Sequence, residues 1–203
     1  MTSPRRSRLA LAAAAVAATA LLLSGCAGQQ AGSAATVGDT RISEQALTAQ
    51  VEDILVAKGQ PTTSKDQSLV TQTLGRMITK ELVDRLAVRE GVEITQGKID
   101  EVLANYQGQV GGEQAVLDLF IQENVAPSQL ESLIRLQLQA QDLGIALDPR
   151  GSAEEQGKAV FDAAGALSEE LNTTVSPRYG TWDPSSLSLG PTSDDLSAPP
   201  ALG

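Results

Sequence analysis

Two kinds of hydrophobic pattern succeed one another along this chain of 203 residues. Residues 9–23 form an apolar run, interrupted only by Thr19, behind Arg5, Arg6 and Arg8. From residue 43 onwards apolar side chains return every three or four positions, the period of an amphipathic helix. Leu47, Val51, Ile54 and Leu55 make the first stripe, with Ser43 as its N-cap and Gly59 and Pro61 as its stop. Ser64 and Gln67 have capping-box spacing ahead of the longest pattern, residues 65–90, which carries Val70, Leu74, Met77, Ile78, Leu82 and Leu86 and meets Gly91 as a C-cap. Thr95 opens a third helix with Ile99, Val102, Leu103 and Tyr106 on one face. Gly111-Gly112 reads as a turn before a fourth, which holds Val116, Leu119 and Phe120. Pro127 belongs near the first turn of a fifth, where its missing N–H costs little; Leu130, Leu133, Ile134 and Leu138 mark its buried side. After a break at Asp148-Pro149-Arg150-Gly151, residues 154–172 predict a sixth helix with Val160, Ala164, Leu167 and Leu171 inward.

The two ends of this helical body read differently. Residues 36–42 alternate around Gly38-Asp39, which predicts two short extended pieces joined by a turn. Residues 173–183 are extended in character, with Val175, Pro177, Tyr179 and Trp182. Short strands in isolation are marginal in water, so pairing of residues 37–42 with residues 174–179 is predicted to join both ends of the domain. The fold class is therefore mainly α, with a small β-sheet formed by the N- and C-terminal ends. Residues 26–35 are small and polar and read as a flexible tether, and the domain proper spans 36–183. In residues 184–203 Pro, Ser and small side chains dominate and periodicity ends, the pattern of a disordered tail.

The first apolar run ends in Leu23-Ser24-Gly25-Cys26, which contains the one cysteine of the chain. Cationic start, apolar core and small residues are the three parts of a secretory signal. The segment resembles a bacterial lipoprotein signal, whose lipobox reads Leu, a small residue, Gly or Ala, then Cys. The resemblance implies cleavage after residue 25 and lipidation of Cys26, which becomes the mature N-terminus held to the extracytoplasmic face of the cell membrane. Two acyl chains anchor stably where one is marginal, each buried methylene contributing ~0.8 kcal/mol. The alternative is an ordinary secretory signal with an incidental cysteine. Arg5-Arg6 hints at twin-arginine export, but Arg8 stands where that signal needs an apolar residue, which favours general secretion.

Charge and absent residue types narrow the function. Three of the fifteen cationic residues precede Cys26 and all twenty-five acids follow it, so the chain from Cys26 onwards carries a formal charge of −13. That balance argues against nucleic acid as a partner and repels anionic lipid headgroups, leaving the lipid as a tether. There is no histidine, which removes Ser-His-Asp and Cys-His catalysis and histidine-bound zinc. Phosphate-binding Gly-rich loops and EF-hand spacing are missing too. The expectation is a non-enzyme with no catalytic, cofactor-binding or metal-binding residues. Asn172-Thr173-Thr174 reads as a chance sequon, and Glu169-Glu170 and Asp194-Asp195 as solvated charges.

Three stretches together resemble one family. Thr36-Val37-Gly38-Asp39-Thr40-Arg41-Ile42-Ser43 before a helix is similar to the opening of SurA-type and PrsA-type extracytoplasmic chaperones. Gly91-Val92-Glu93-Ile94-Thr95 resembles that family's break after its long helix, and Ser176-Pro177-Arg178-Tyr179-Gly180-Thr181-Trp182 its closing strand, with Ser176 in place of the usual Asn. The resemblance implies a client-binding helical module for unfolded or secreted polypeptides. In the family a parvulin prolyl-isomerase domain is often inserted, whereas here the corresponding gap, about residues 147–152, is too short for a domain. The expected function is thus a lipid-anchored chaperone without isomerase activity; Leu and Ile of the third to fifth helices are the candidates to line its groove, while each stripe taken residue by residue reads more readily as ordinary core. Few aromatics (one Trp, two Tyr, two Phe) argue against an aromatic clamp. The alternative is a non-catalytic adaptor or structural lipoprotein with one dedicated protein partner.

Overall fold

Ser43 turns an extended chain into a helix. Its hydroxyl accepts from the Ala46 amide at 3.1 Å, satisfying one of the free N–H groups of the first turn. The computed structural model describes residues 32–64 and 66–192. Strands β1 (Ser33–Val37) and β2 (Thr40–Ser43) form a hairpin around Gly38, whose φ of 60° permits the tight turn. Six helices follow: α1 (Glu44–Ala57), α2 (Gln67–Glu90), α3 (Gln96–Val110), α4 (Glu113–Gln122), α5 (Leu130–Leu147) and α6 (Ala153–Glu170). Pro127–Gln129 form a 3-10 turn leading into α5. Three short strands close the described chain: β3 (Thr174–Val175), β4 (Trp182–Asp183) and β5 (Ser188–Leu189).

Caps define the helices where the sequence places them, with one exception. Thr95 caps α3, and Gly91 ends α2 in the left-handed conformation, with the Val92 amide bonded back to the Ala87 carbonyl at 2.8 Å. At the start of α2, Asp66 takes the place expected of Ser64: its carboxylate accepts from the Leu69 amide and the Ser68 hydroxyl. Ser152 and Glu155 form a reciprocal capping box on α6.

Two apolar clusters hold the body together. The larger joins β1, α1, α2, the second half of α5 and α6 through Leu47, Ile54, Leu74, Ile78, Leu82, Leu143 and Leu167. Gly144 is the closest approach of α5 to α6; a Cβ there would lie 2.9 Å from the Gln156 Cβ. The smaller cluster joins α3, α4 and the first half of α5 through Ile94, Ile99, Val116, Leu130 and Ile134. Leu119, expected on the buried side of α4, is exposed.

The chain ends meet, as expected, but by a shorter pairing. β1 is the centre of a three-stranded sheet in the order β2-β1-β3, with Ala35 opposite Val175 and Thr36 opposite Thr174. The Thr36 and Thr174 hydroxyls share a 2.7 Å hydrogen bond, and the Ser176 amide donates to the Ala34 carbonyl. Pro177 lacks an amide to extend the ladder, and Pro177–Tyr179 turn as a 3-10 helix instead. Two boundaries need correction. Ser33, Ala34 and Ala35 are not tether but buried strand, with Ala34 wholly inaccessible. Residues 184–192 are not tail either, because β5 pairs with β4 and Gly190 donates to the Thr181 carbonyl. The signal segment, Cys26 and residues 193–203 lie outside the described residues.

Candidate functional site

Of the two readings of the Leu and Ile stripes on the third to fifth helices, groove or ordinary core, the structure has core. Ile99, Val116, Leu130 and Ile134 are buried in the smaller core, and Val102, Leu103, Tyr106, Phe120 and Leu138 pack half-buried around them. Tyr106 and Phe120 meet edge to face, 6.1 Å between ring centres. These side chains form the interior of the α3–α5 lobe.

Two clefts border Tyr179, while a third of about 370 Å³ lies between α2 and the end of α6, lined by Arg85, Val88, Leu167 and Leu171. The larger cleft, about 710 Å³, has the outward face of α2 as its floor (Ser68, Thr71, Gln72, Gly75, Arg76, Thr79), while Tyr179, Leu187, Leu189 and Pro191 form its wall. A smaller cleft of about 300 Å³ lies between α1 and α2 and also has Tyr179 in its lining, with Leu47, Val51 and Val70 as its apolar part and Thr62, Ser64 and Asp66 as its polar rim. Tyr179 therefore borders both. Its backbone is fixed by the 3-10 turn, the Tyr179 amide donating to the Ser176 carbonyl at 2.9 Å. Its ring carries the Arg178 guanidinium 5.8 Å from its centre, and Arg178 in turn pairs with Glu44 at 3.2 Å. The arrangement offers apolar side chains interleaved with hydroxyls and amides.

Among the described residues, Arg76 is the one charged side chain in the lining of the larger cleft. It is half-buried, donates to the Asn124 carbonyl at 2.8 Å, and burial holds its guanidinium below its ordinary value. Asn124, in the left-handed region at φ 59°, also donates to Gln72 and accepts from Lys58, so one residue ties the α4–α5 turn to α1 and α2. The other shifted groups have structural causes. Asp66, Glu155 and Asp183 are held below the usual carboxylate range by cap and turn hydrogen bonds, and Asp39 by the hydrogen bond from Arg85. Among the described residues no three His, Cys, Asp or Glu side chains come together as a metal site, and no helix is long and apolar enough to cross a membrane.

Sequence reading did not identify the cleft. Tyr179 was legible as part of a closing segment, but Arg76 looks like any polar-face residue of an amphipathic helix. The β4–β5 hairpin had a usable signal in Asp183-Pro184-Ser185-Ser186, where Asp183 accepts from the Ser185 amide at 2.9 Å as in an Asx turn. Cys26, the lipid-attachment residue expected from the sequence, lies outside the described residues. Comparison with known proteins gives one family: the SurA-like N-terminal domain, whose model matches residues 4–145. That span takes in β1 and β2 and runs through α4 into the end of α5, while α6 and the closing strands lie beyond it. No curated protein and no solved structure matches the chain.

Proposed function

Because the chain belongs to the SurA-like N-terminal domain family, we propose that it is a lipid-anchored, extracytoplasmic chaperone-like protein that holds unfolded or secreted polypeptides and does no catalysis. Membership of that family is the observation that carries the reading. The two clefts bordered by Tyr179, with apolar side chains beside hydroxyls and amides in their linings, support the reading. Anchoring rests on the lipobox ending in Cys26. The absence of isomerase activity rests on the missing histidines and on the α5–α6 connection, where Gln156 donates to the Asp148 carbonyl at 3.1 Å across a tight turn.

The test uses the protein from residue 26 onwards and two unrelated unfolded clients whose aggregation is followed by light scattering. Suppression of both is expected, weakened several-fold by Tyr179→Ala in a protein whose helical circular dichroism is unchanged. No suppression at molar excess, together with recovery of one stoichiometric partner from crosslinked membranes, would replace the chaperone by a dedicated adaptor. In cells, fatty-acid label is expected in the parent and lost in Cys26→Ala; label that persists overturns the anchor.

A further inference from the structure

The larger cleft beside Tyr179 carries charge of one sign. Among the described residues no Asp or Glu lines it, although acids outnumber cations twenty-five to fifteen in the chain. The part of α2 that forms its floor has the same bias, since residues 67–80 contain Arg76 and Lys80 and no acid. Lys80 is answered by Asp84, one turn further along the helix. Arg76 is not: among the described residues it meets no carboxylate, and the Asn124 carbonyl is its one acceptor. A guanidinium has five N–H donors in a planar fork, so most of the donors of this half-buried group are left without a protein partner. Gly75, beside it on the floor, adds a second observation. It stands inside a 24-residue helix, where glycine is unfavourable, yet a Cβ there would meet nothing within 4 Å. Packing does not require the bare backbone at this position, and its effect is to let a second chain lie close against α2.

Given the chaperone reading, on which this rests, we propose that the cleft selects extended polypeptide segments in which an Asp or Glu stands between apolar residues, the carboxylate pairing with Arg76. The guanidinium fork matches a carboxylate, which accepts two of its N–H groups at once. Half-burial strengthens that pair relative to one in open water. Side chains flanking the acid meet the wall, where Tyr179, Leu187 and Leu189 pack partly against the main core and line the cleft with their remaining surface. The overall negative charge of the chain does not oppose the pairing from a distance. At about 0.15 M salt the screening length is ~8 Å, so a carboxylate in the cleft answers to Arg76, while acids elsewhere on the surface are screened.

Three fluorescent peptides of one apolar sequence, with Glu, Gln or Lys at the centre, test this by anisotropy on the protein from residue 26 onwards at about 0.15 M salt. The Glu peptide is expected to bind about tenfold more tightly than the Gln peptide, and the Lys peptide more weakly than either. Arg76→Gln should remove the difference between the Glu and Gln peptides. Gly75→Gln adds bulk to the floor where the new Cβ meets nothing within 4 Å; helical circular dichroism should be unchanged and all three peptides should weaken together. Equal affinity of the parent for the three peptides overturns the charge selection and leaves the chaperone reading standing. A Glu preference that survives Arg76→Gln, or binding indifferent to Gly75→Gln, puts the site elsewhere and also overturns the proposal. If no peptide binds, the proposal falls, and the aggregation assay decides whether the holding of clients falls with it.

Discussion

A helix needs donors answered at its start, and four side chains do this here: Ser43, Asp66, Thr95 and Ser152. The capping Asp66, Glu155 of the α6 capping box and the turn-forming Asp183 have pKa values lowered in the folded chain. A lowered folded pKa contributes stability above the unfolded value that is lost as pH falls through the folded one. Those losses fall below about pH 4, the ordinary carboxylate range, and the chain has no histidine to titrate nearer neutrality. The melting temperature is therefore expected to be flat from pH 6 to 8 and to drop below pH 4. A slope of equal size near neutrality would contradict this. Ser152→Ala removes the hydroxyl half of a capping box, leaving the Ser152 amide on the Glu155 carboxylate, and should cost roughly 1 kcal/mol, a fall of about 2–4 °C for a domain of this size. At this scale the sequence was largely readable, because capping chemistry is local. Asp66 was the exception: Ser64 and Gln67 had the right spacing, but a carboxylate two residues on interacts more strongly with the positive end of α2.

Elements at the chain ends were legible in kind and misplaced in extent. Ser33, Ala34 and Ala35 have the composition of a linker, yet small residues are also what a strand needs where it passes close under other elements. Composition does not separate the two; burial does. Residues 184–192 were misread for a similar reason, since their two-residue strand acquires meaning only against Trp182, whose indole N–H donates to the buried Ser168 hydroxyl at 2.8 Å. Three truncations grade these contacts by melting temperature. Removing residues 193–203 deletes no contact among the described residues and should leave the fold intact. Removing residues 184–203 takes away β5, which covers Trp182, and should lower stability. Removing residues 173–203 also deletes β3, the Ser176–Ala34 bond and the Trp182 side chain, a loss of roughly several kcal/mol from a domain held by about 5–15. Equal melting of the first and third would mean that β3 does not support the body.

For the whole folded unit, the decisive feature is that its apolar interior comes in two pieces of unequal size. The larger runs from β1 through α1 and α2 to α6, whereas the smaller rests on five buried side chains of α3, α4, α5 and the Ile94 approach. Lys98 pairs with Asp142 at 2.8 Å and Arg135 donates to the Ile94 carbonyl at 2.7 Å, so polar contacts also fasten the lobe to α5. Regions with little buried apolar surface open at lower free energy than the global transition. The α3–α4 lobe should thus exchange its amide hydrogens sooner than α2 and α6. Two cavity variants separate local from global opening. Ile99→Ala and Leu82→Ala each delete a fully buried side chain, at about 2–5 kcal/mol apiece. Because the smaller core has few other contacts to hold it, Ile99→Ala is expected to speed exchange in α3 and α4 while α2 and α6 stay protected. Leu82→Ala, in the middle of α2, should speed exchange in every helix. If Ile99→Ala instead accelerated all helices evenly, the two clusters would form one cooperative core, and the lobe would have no opening of its own.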